Sequence, residues 1–399
     1  MNIAIVLMKY NPFGGYERQA VILAETLAER GDSVTIFTNK WTDENLPGIK
    51  FKKIKIIKLS SWFKVLSFAL LSRRYLNREK EQFDVIIAFD RTLVMDIYRA
   101  GNACHREWLN FRKKTGRISD FISIAINPIH PVINRIEKRI FAENPEKNGD
   151  IVVLSGLSIQ QIQRYYPVRE ERFVVVPPAL DLNRFQYNRL VEYRTQERAS
   201  LRIDNETLTL LHVGSGFRIK GLKNTIEALA ILLKSWHNAK LLVVGTDRDG
   251  TRQCRRLSRR LGIESYVEFA GGVTDIGRFY ATADIFVVPS LFETFCISAV
   301  EALAFGLPVI IGRGAGVSFM IQRENIGSVV DVPADPFRLA ELIKDVALKE
   351  QVYKSEGTIE QIREQRRTVA FQCDKEVVLG KFLSVIDEIA EKKTNTDRN

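Results

Sequence analysis

The sequence predicts an α/β protein built from two doubly wound parallel-sheet domains, and three observations carry that expectation. Short β-branched runs alternate with segments of helical periodicity along the whole chain, the pattern of parallel strands joined by crossover helices. The alternation stops at a polar stretch beginning near Asn183 and then restarts, so two such units follow one another. At 399 residues and 45% hydrophobic, the chain is long enough for two cores and too long for one.

The first half is expected to hold strands at Ile3–Leu7, Val34–Phe37, Ile54–Ile57, Val85–Phe89, Ile151–Leu154 and Phe173–Val176. Between the first two, Ala20, Leu23, Ala24, Leu27 and Ala28 recur at helical spacing and Gly31 follows as a C-cap, which makes a βαβ opening. Pro177-Pro178 ends the last strand, and the polar run Asn183–Arg202 reads as an interdomain connection. The domains are therefore expected at 1–180 and 206–374, joined by 181–205.

In the second half the strands are expected at Leu208–Val213, Lys240–Gly245, Val267–Phe269, Ile285–Pro289, Val309–Ile311 and Val329–Val332. Helices are expected at Lys223–Leu233, at a basic segment near Arg252–Leu261, and from about Ser298. Val377, Val378, Phe382, Val385, Ile386 and Ile389 give the tail the period of one more helix, at about 375–391, which is expected to pack back on the first domain. The closing polar KKTNTDRN is expected to be disordered.

The four cysteines, Cys104, Cys254, Cys296 and Cys373, show no CxxC spacing, so neither a disulfide framework nor a zinc site is suggested and a reducing cytoplasm fits. The opening MNIAIVLMKYNPFGG has too short an apolar run for a signal-peptide core and reads as a buried strand. No segment reaches the roughly 18 apolar residues that span a bilayer. A formal charge of +11 calls for an anionic partner, whether nucleic acid, membrane surface or phosphorylated substrate.

Three motifs sit where a strand hands over to a helix. Pro12-Phe13-Gly14-Gly15 lets backbone approach a phosphate in front of a helix N-terminus, although a glycine pair in such a turn is also simply structural. Without a GxGxxG pattern it does not favour a dinucleotide. The run from Gly214 through Ser215, Gly216, Arg218 and Lys220 to Gly221 brings glycines and two cations to the carboxyl edge of a parallel sheet, as a diphosphate requires, or forms a glycine-rich turn with solvated cations. In the stretch Glu293 to Pro308, Glu293 falls in a loop and Glu301 about one turn into the next helix. Both carboxylates can then face one ligand, with the helix N-terminus between them for a phosphate.

Two glutamates with seven residues between them, followed by Glu301-Ala302-Leu303-Ala304-Phe305-Gly306-Leu307-Pro308-Val309, resemble the retaining glycosyltransferases of family 4. The N-terminal Gly-Gly loop, the Gly-Lys-Gly segment and Val176-Pro177-Pro178-Ala179-Leu180-Asp181 occur in that family's order, so the resemblance covers nearly the full chain. Lys9-Tyr10-Asn11-Pro12-Phe13-Gly14-Gly15 and Asp96-Ile97-Tyr98-Arg99-Ala100-Gly101 resemble the lipopolysaccharide core glucosyltransferases more narrowly.

The resemblance implies a GT-B fold, two Rossmann-like domains facing each other across a cleft with the donor nucleotide on the C-terminal one. It implies that Glu301 holds the ribose hydroxyls, that Glu293 and the backbone of Phe295, Cys296 and Ile297 meet the sugar and diphosphate, and that Lys220 with Arg218 neutralises the diphosphate. Gly14, Gly15 and Gly214 complete the donor-binding set. Fixed positive charge can replace a metal in stabilising the leaving group, so no cofactor or divalent cation is required. Asn102 stands where relatives have an acid, and Gln19 falls in another departure, so activity or acceptor choice is expected to differ there. His105 is expected either to bind acceptor or donor sugar, with a catalytic role, or to be a partly buried polar residue.

From His105 to Arg139 eight Lys/Arg stand against three acids, a net charge of about +5, interleaved with Trp108, Phe111, Phe121, Ile122 and Ile126. Trp108, Phe111, Arg112, Lys113, Lys114 and Arg117 are the expected contacts with an anionic bilayer; a solvated loop over core side chains is the alternative. No nucleic-acid-binding module is recognisable. The expected protein is a cytoplasmic enzyme, peripheral on the inner face of the cytoplasmic membrane. It would move a hexose, glucose from UDP-glucose first, to a lipopolysaccharide core or similar glycolipid. Its rivals are a GDP-mannose or UDP-N-acetyl-sugar transferase and a non-catalytic sugar- or lipid-binding homologue.

Overall fold

The computed structural model describes residues 1–11, 15–41, 46–116, 118–142, 149–185 and 190–397. The chain divides into two units, Met1–Ala179 with Glu376–Asn399, and Leu180–Lys375.

The first unit runs β1 (Asn2–Val6), α1 (Gly15–Glu29), β2 (Ser33–Thr38), β3 (Ile49–Lys53), α2 (Ser61–Glu79), β4 (Val85–Ala88), β5 (Ile97–Ala100), α3 (His105–Thr115), α4 (Ile118–Ile126), α5 (Ile129–Phe141), β6 (Asp150–Val153), α6 (Gly156–Gln163) and β7 (Phe173–Val175). The strands form one parallel sheet in the order β3-β2-β1-β4-β5-β6-β7. The winding reverses between β1 and β4, the switch point outside whose carboxyl ends such sheets take ligands. Successive residues of β1 serve opposite faces. Ile3 and Ile5 pack with Leu23 and Leu27 of α1, whereas Ala4 and Val6 pack with Phe68 of α2 and Ile136 and Ile140 of α5. Burial on both faces explains why these strands read as unbroken apolar runs.

The second unit runs α7 (Leu190–Ser200), β8 (Leu208–Val213), α8 (Leu222–Leu232), β9 (Ala239–Val244), α9 (Arg248–Arg260), β10 (Val267–Gly271), α10 (Gly277–Thr282), β11 (Ile285–Val288), α11 (Ile297–Ala304), β12 (Val309–Gly312), β13 (Gly327–Val330), α12 (Pro336–Ser355) and α13 (Ile359–Phe371). Its parallel sheet has the order β10-β9-β8-β11-β12-β13, with the switch point between β8 and β11. Leu210, Leu241 and Val287 of the sheet share a core with Ile226 and Leu229 of α8 and Ile343 of α12. Finally α14 (Lys375–Asp397) lays Val378, Phe382, Ile386 and Ile389 on the α1 face of the first unit, where Arg30 donates to Asp387 at 2.9 Å.

Four expectations differ from the structure. The third strand is Ile49–Lys53 rather than Ile54–Ile57: the chain pairs through IKFKK, whose lysines suit an edge strand, and Ile54 follows as a buried anchor. Ile97–Ala100 is an additional strand, β5, disguised in the sequence by Arg99. That guanidinium is buried because it donates to the carbonyl oxygens of Val176 at 2.6 Å and Pro177 at 3.1 Å. The stretch Asn183–Arg202 is not a free connection but belongs to the second unit. There, buried Arg198 of α7 donates to the carbonyls of Thr207 at 2.6 Å and Thr282 at 2.9 Å. The polar tail is helical as far as Asp397, since a helix already docked by its apolar face extends at one hydrogen bond per residue.

Candidate active site

In the second unit, the loops after β8 and β11 leave the sheet side by side at its switch point. Gly214 has φ +138°, and a Cβ there would fall 2.3 Å from Cε of Lys220, so the glycine makes room for the lysine to fold back over the loop. Gly221 has φ +74°, and a Cβ on it would meet the Pro289 carbonyl at 2.5 Å. The loops are joined directly, Leu291 N–H donating to Ile219 O at 2.8 Å.

That packing delivers Lys220 Nζ to Glu293 Oε1 at 2.8 Å, while the Ser290 hydroxyl donates to Glu293 Oε2 at 3.0 Å. Burial opposes the Lys220 ammonium, but the surrounding Cys296, Glu293 and Glu301 outweigh it and raise its pKa, so it is a fixed cation. The Glu293 backbone is held to the loop after β12 through Gly314 O at 2.8 Å. Glu301 sits one turn into α11 and is buried. Tyr280 O–H donates to its Oε2 at 2.7 Å, and Arg184 donates to Oε1. Burial raises the Glu301 pKa, with Tyr280, Arg184 and Lys220 pulling the other way. Between the two glutamates, Phe295 and Cys296 are buried and Ile297 is half-buried. Cys296 takes the left-handed conformation, φ +84°, and no side chain caps α11 behind it. Burial pushes the Cys296 thiol up to about 12, so it is not a nucleophile at neutral pH. Arg218 is exposed on the same loop.

The cluster therefore offers a fixed cation, two carboxylates and an uncapped helix start at one sheet edge, an arrangement suited to a diol joined to a diphosphate. The adjoining loops after β8 and β11 bring Lys220 to Glu293, with Glu301 close enough to act on the lysine's charge, whereas Arg184 and Tyr280 are not among the residues the sequence singles out. Neither stands in a glycine-rich loop or in the Glu293–Pro308 stretch, and their contacts reach Glu301 across 117 and 21 positions.

In the first unit, Gly14 and the Pro12-Phe13 before it lie outside the described residues, and Gly15 opens α1. Gly101 is required by packing, since a Cβ there would fall 1.9 Å from Cε2 of Tyr16. Asn102 is exposed. Gln19 clasps the Ala179 backbone, accepting its N–H at 2.7 Å and donating to its carbonyl at 3.0 Å, a structural task for this departure. His105 is buried, its Nε2 3.0 Å from Nδ1 of His130, and burial with Arg91, His130 and Arg112 nearby lowers its pKa to about 3. Glu137 accepts the His105 backbone N–H at 3.0 Å and pairs with Arg91 at 2.7 Å. The ring is thus held neutral where α3 meets α5.

The described residues between His105 and Arg139 lie mostly in α3, α4 and α5. Trp108 and Phe111 are half-buried and stacked at 5.6 Å, and Arg112 is paired with Asp120. Lys113 and Lys114 are exposed, as are Phe121, Ile122 and Ile126 of α4, and Arg117 lies outside the described residues. No helix of the described residues is long and apolar enough to cross a membrane, and no group of His, Cys, Asp and Glu among them could hold a metal ion.

Residues 13–184 match the family model described as Glycosyltransferase Family 4, and residues 193–365 that described as Glycosyl transferases group 1. Over 345 residues the chain is 28% identical to the lipopolysaccharide glucosyltransferase WaaG of Escherichia coli, covering 86% of this chain and 89% of that protein. It is 30% identical over 243 residues to a D-inositol 3-phosphate glycosyltransferase of Geodermatophilus obscurus, covering 58% and 51%. Among solved structures, the crystal structure of WaaG, a glycosyltransferase involved in lipopolysaccharide biosynthesis, superposes with a TM-score of 0.75 at 26% identity over 96% of this chain and 99% of that one. Anabaena HepE in complex with UDP and glucose shares the fold, with a TM-score of 0.66 at 17% identity over 97% and 100%.

Proposed function

The chain belongs to the glycosyltransferases that these family models describe, related to the lipopolysaccharide glucosyltransferase, and from that premise we propose that it transfers glucose from UDP-glucose to a phosphorylated glycolipid acceptor, with retention of configuration and no metal. The observation that carries the reading is the Lys220–Glu293 pair at 2.8 Å, with Glu301 one helical turn beyond it, at the switch point of the second sheet.

In this reading the ribose hydroxyls donate to Glu301, and the diphosphate lies against Lys220 and the start of α11, with Arg218 as a second cation. Glu293 and the backbone of Phe295, Cys296 and Ile297 meet the sugar and the diphosphate. As the bond from the anomeric carbon to the diphosphate oxygen breaks, negative charge grows on that oxygen where Lys220 stands ready, which lowers the barrier without reorganisation. The departing oxygen takes the proton of the acceptor hydroxyl as the new glycosidic bond forms on the same face of the sugar. No protein nucleophile is used. His105 and Asn102 belong to the acceptor side, with the His105 ring available to bind acceptor or donor sugar. The exposed Lys113, Lys114, Phe121, Ile122 and Ile126 suit an anionic bilayer surface, on which the enzyme is peripheral.

A panel of nucleotide sugars tested for protection against heat, on wild type, Glu301→Ala and Lys220→Ala, tests the donor site. UDP-glucose is expected to stabilise the wild type, with most of that effect lost in both variants; equal protection of the variants would sink the site assignment. Protection by GDP-mannose or a UDP-N-acetyl sugar instead moves the donor and keeps the site. If no nucleoside diphosphate is released with any donor and a native acceptor, the enzyme reading fails. Salt-sensitive binding to anionic vesicles but not to duplex DNA is the expected signature of the membrane surface.

A further inference from the structure

We infer that Arg184 is a positioning residue of the donor site: together with Tyr280 it fixes the Glu301 carboxylate so that acceptor capacity on both oxygens stays open to the two ribose hydroxyls. The inference rests on the donor reading above and adds to it a residue outside both donor motifs.

Arg184 lies in a single helical turn, Leu182–Arg184, directly after the start of the second unit at Leu180. That segment is firmly seated. Leu180 N–H donates to Cys373 O at 2.9 Å, Lys375 N–H donates to Leu180 O at 2.7 Å, and Leu182 is fully buried. On the other side, buried Phe185 packs edge-on against Phe305 with ring centroids 5.0 Å apart. Between these two anchors the Arg184 guanidinium lies 4.7 Å over the Phe185 ring and donates to Glu301 Oε1. Tyr280 approaches from α10 and donates to the other oxygen, Oε2, at 2.7 Å.

The chemistry follows from counting acceptors. An ionised carboxylate takes about four hydrogen bonds, two on each oxygen. Arg184 and Tyr280 occupy one on each, from two different elements, which sets the plane of the group and leaves room on each oxygen for a donor. A vicinal diol presents two hydroxyl donors at matching spacing. The contact also maintains the charge that such acceptance needs. The Glu301 side chain is only 9% exposed, and burial alone favours the neutral acid, which would lose acceptor capacity. The charged and titratable groups facing it are Arg184, Tyr280 and Lys220. Tyr280 stays protonated because burial and then Glu301 raise its pKa well above its ordinary value. Removing Arg184 leaves Lys220 as the only cation of that set. The Glu301 pKa then rises, and nucleotide binding is lost at a higher pH as the solution is acidified.

The test measures the affinity of UDP, and of GDP in parallel, across the acid-to-neutral range for wild type, Arg184→Met and Arg184→Lys. Arg184→Met is expected to weaken binding by about tenfold on the acid side, because each pH step by which the acid limit moves up changes ionisation tenfold. Its acid limit should lie above that of the wild type, and Arg184→Lys should return toward the wild-type limit. In turnover KM for the donor rises while kcat holds. The Arg184 side chain is 42% exposed, and the melting temperature without nucleotide checks that each variant folds. Identical pH profiles for wild type and Arg184→Met overturn the inference alone. Tighter binding by Arg184→Met also overturns it, since Arg184 would then compete with the ribose for Glu301. If the wild type binds neither nucleotide, the donor reading falls and takes the inference with it.

Discussion

Two charged clusters, one in each unit, use similar residues to opposite ends. Around Glu137 the first unit gathers Arg91, the His105 backbone N–H, Cys104 and Tyr166, and Glu137 itself is 1% exposed. Around Lys220 the second unit gathers Glu293 and, behind it, Glu301, but the Lys220 and Glu293 side chains remain 14% and 23% exposed. The closed cluster spends its hydrogen bonds on its own fold, and the open one keeps charge within reach of solvent. The Glu137 carboxylate, closed in beside Arg91, reads as architecture, whereas the Lys220–Glu293 ion pair at a sheet's switch point, beside an uncapped helix and with buried Glu301 behind it, reads as a place for a ligand.

The sharpest way to break that contrast is Glu137→Ala, which takes from half-buried Arg91 the carboxylate it is paired with and from the His105 backbone N–H its acceptor. A loss of about 3–5 kcal/mol in urea unfolding is expected. If the variant is instead stable and inactive, the first cluster is functional and the contrast collapses. Lys220→Ala should behave in the reverse way, with turnover falling roughly 100- to 1000-fold, as when one fixed stabiliser of developing charge is removed, and with little change in melting temperature. Full activity in this variant would remove the open cluster from the chemistry.

Acid titration sharpens the contrast further. His105, and His212 beneath the Lys220 loop, are held neutral chiefly by burial, each with its pKa lowered from 6.5 to about 3. A base whose folded pKa is depressed binds its proton in the unfolded chain first, so stability falls as pH drops below 6.5 toward 3. Each ring should contribute about 1.4 kcal/mol per pH unit across that window, and His105→Asn should flatten the slope of unfolding free energy against pH. An unchanged slope would show that His105 titrates normally in the fold. The smallest effect belongs to Cys296, whose left-handed backbone suits glycine. Cys296→Gly should raise stability by up to about 1 kcal/mol in thermal unfolding, and a loss would show that the buried thiol's packing outweighs backbone strain.

Much of the candidate site was legible in the sequence because each of its motifs is local. Glu293 and Glu301 are separated by one loop and one turn of helix, and the glycines that let Lys220 fold over its own loop are its near neighbours. The two strands that eluded pattern reading did so for a shared reason: a charged residue interrupts an apolar run. Arg99 hides β5 and the lysines hide β3, because a carbonyl cage and a sheet edge make those charges tolerable, and neither exists until distant segments meet. His105 was legible as a polar residue in an apolar setting, but its partner His130 and the cap Glu137 stand 25 and 32 residues away on another helix.

By itself, then, the sequence determined the alternation of strands and helices and the two-unit plan, and it marked Lys220, Glu293 and Glu301 as candidates, since each stands in a local motif. Only the tertiary structure decided which charges are closed off and which stay open. Desolvation and hydrogen bonding depend on what packs from elsewhere. Arg184 reaches Glu301 across 117 positions, and Glu137 is closed by a helix that begins 32 residues before it.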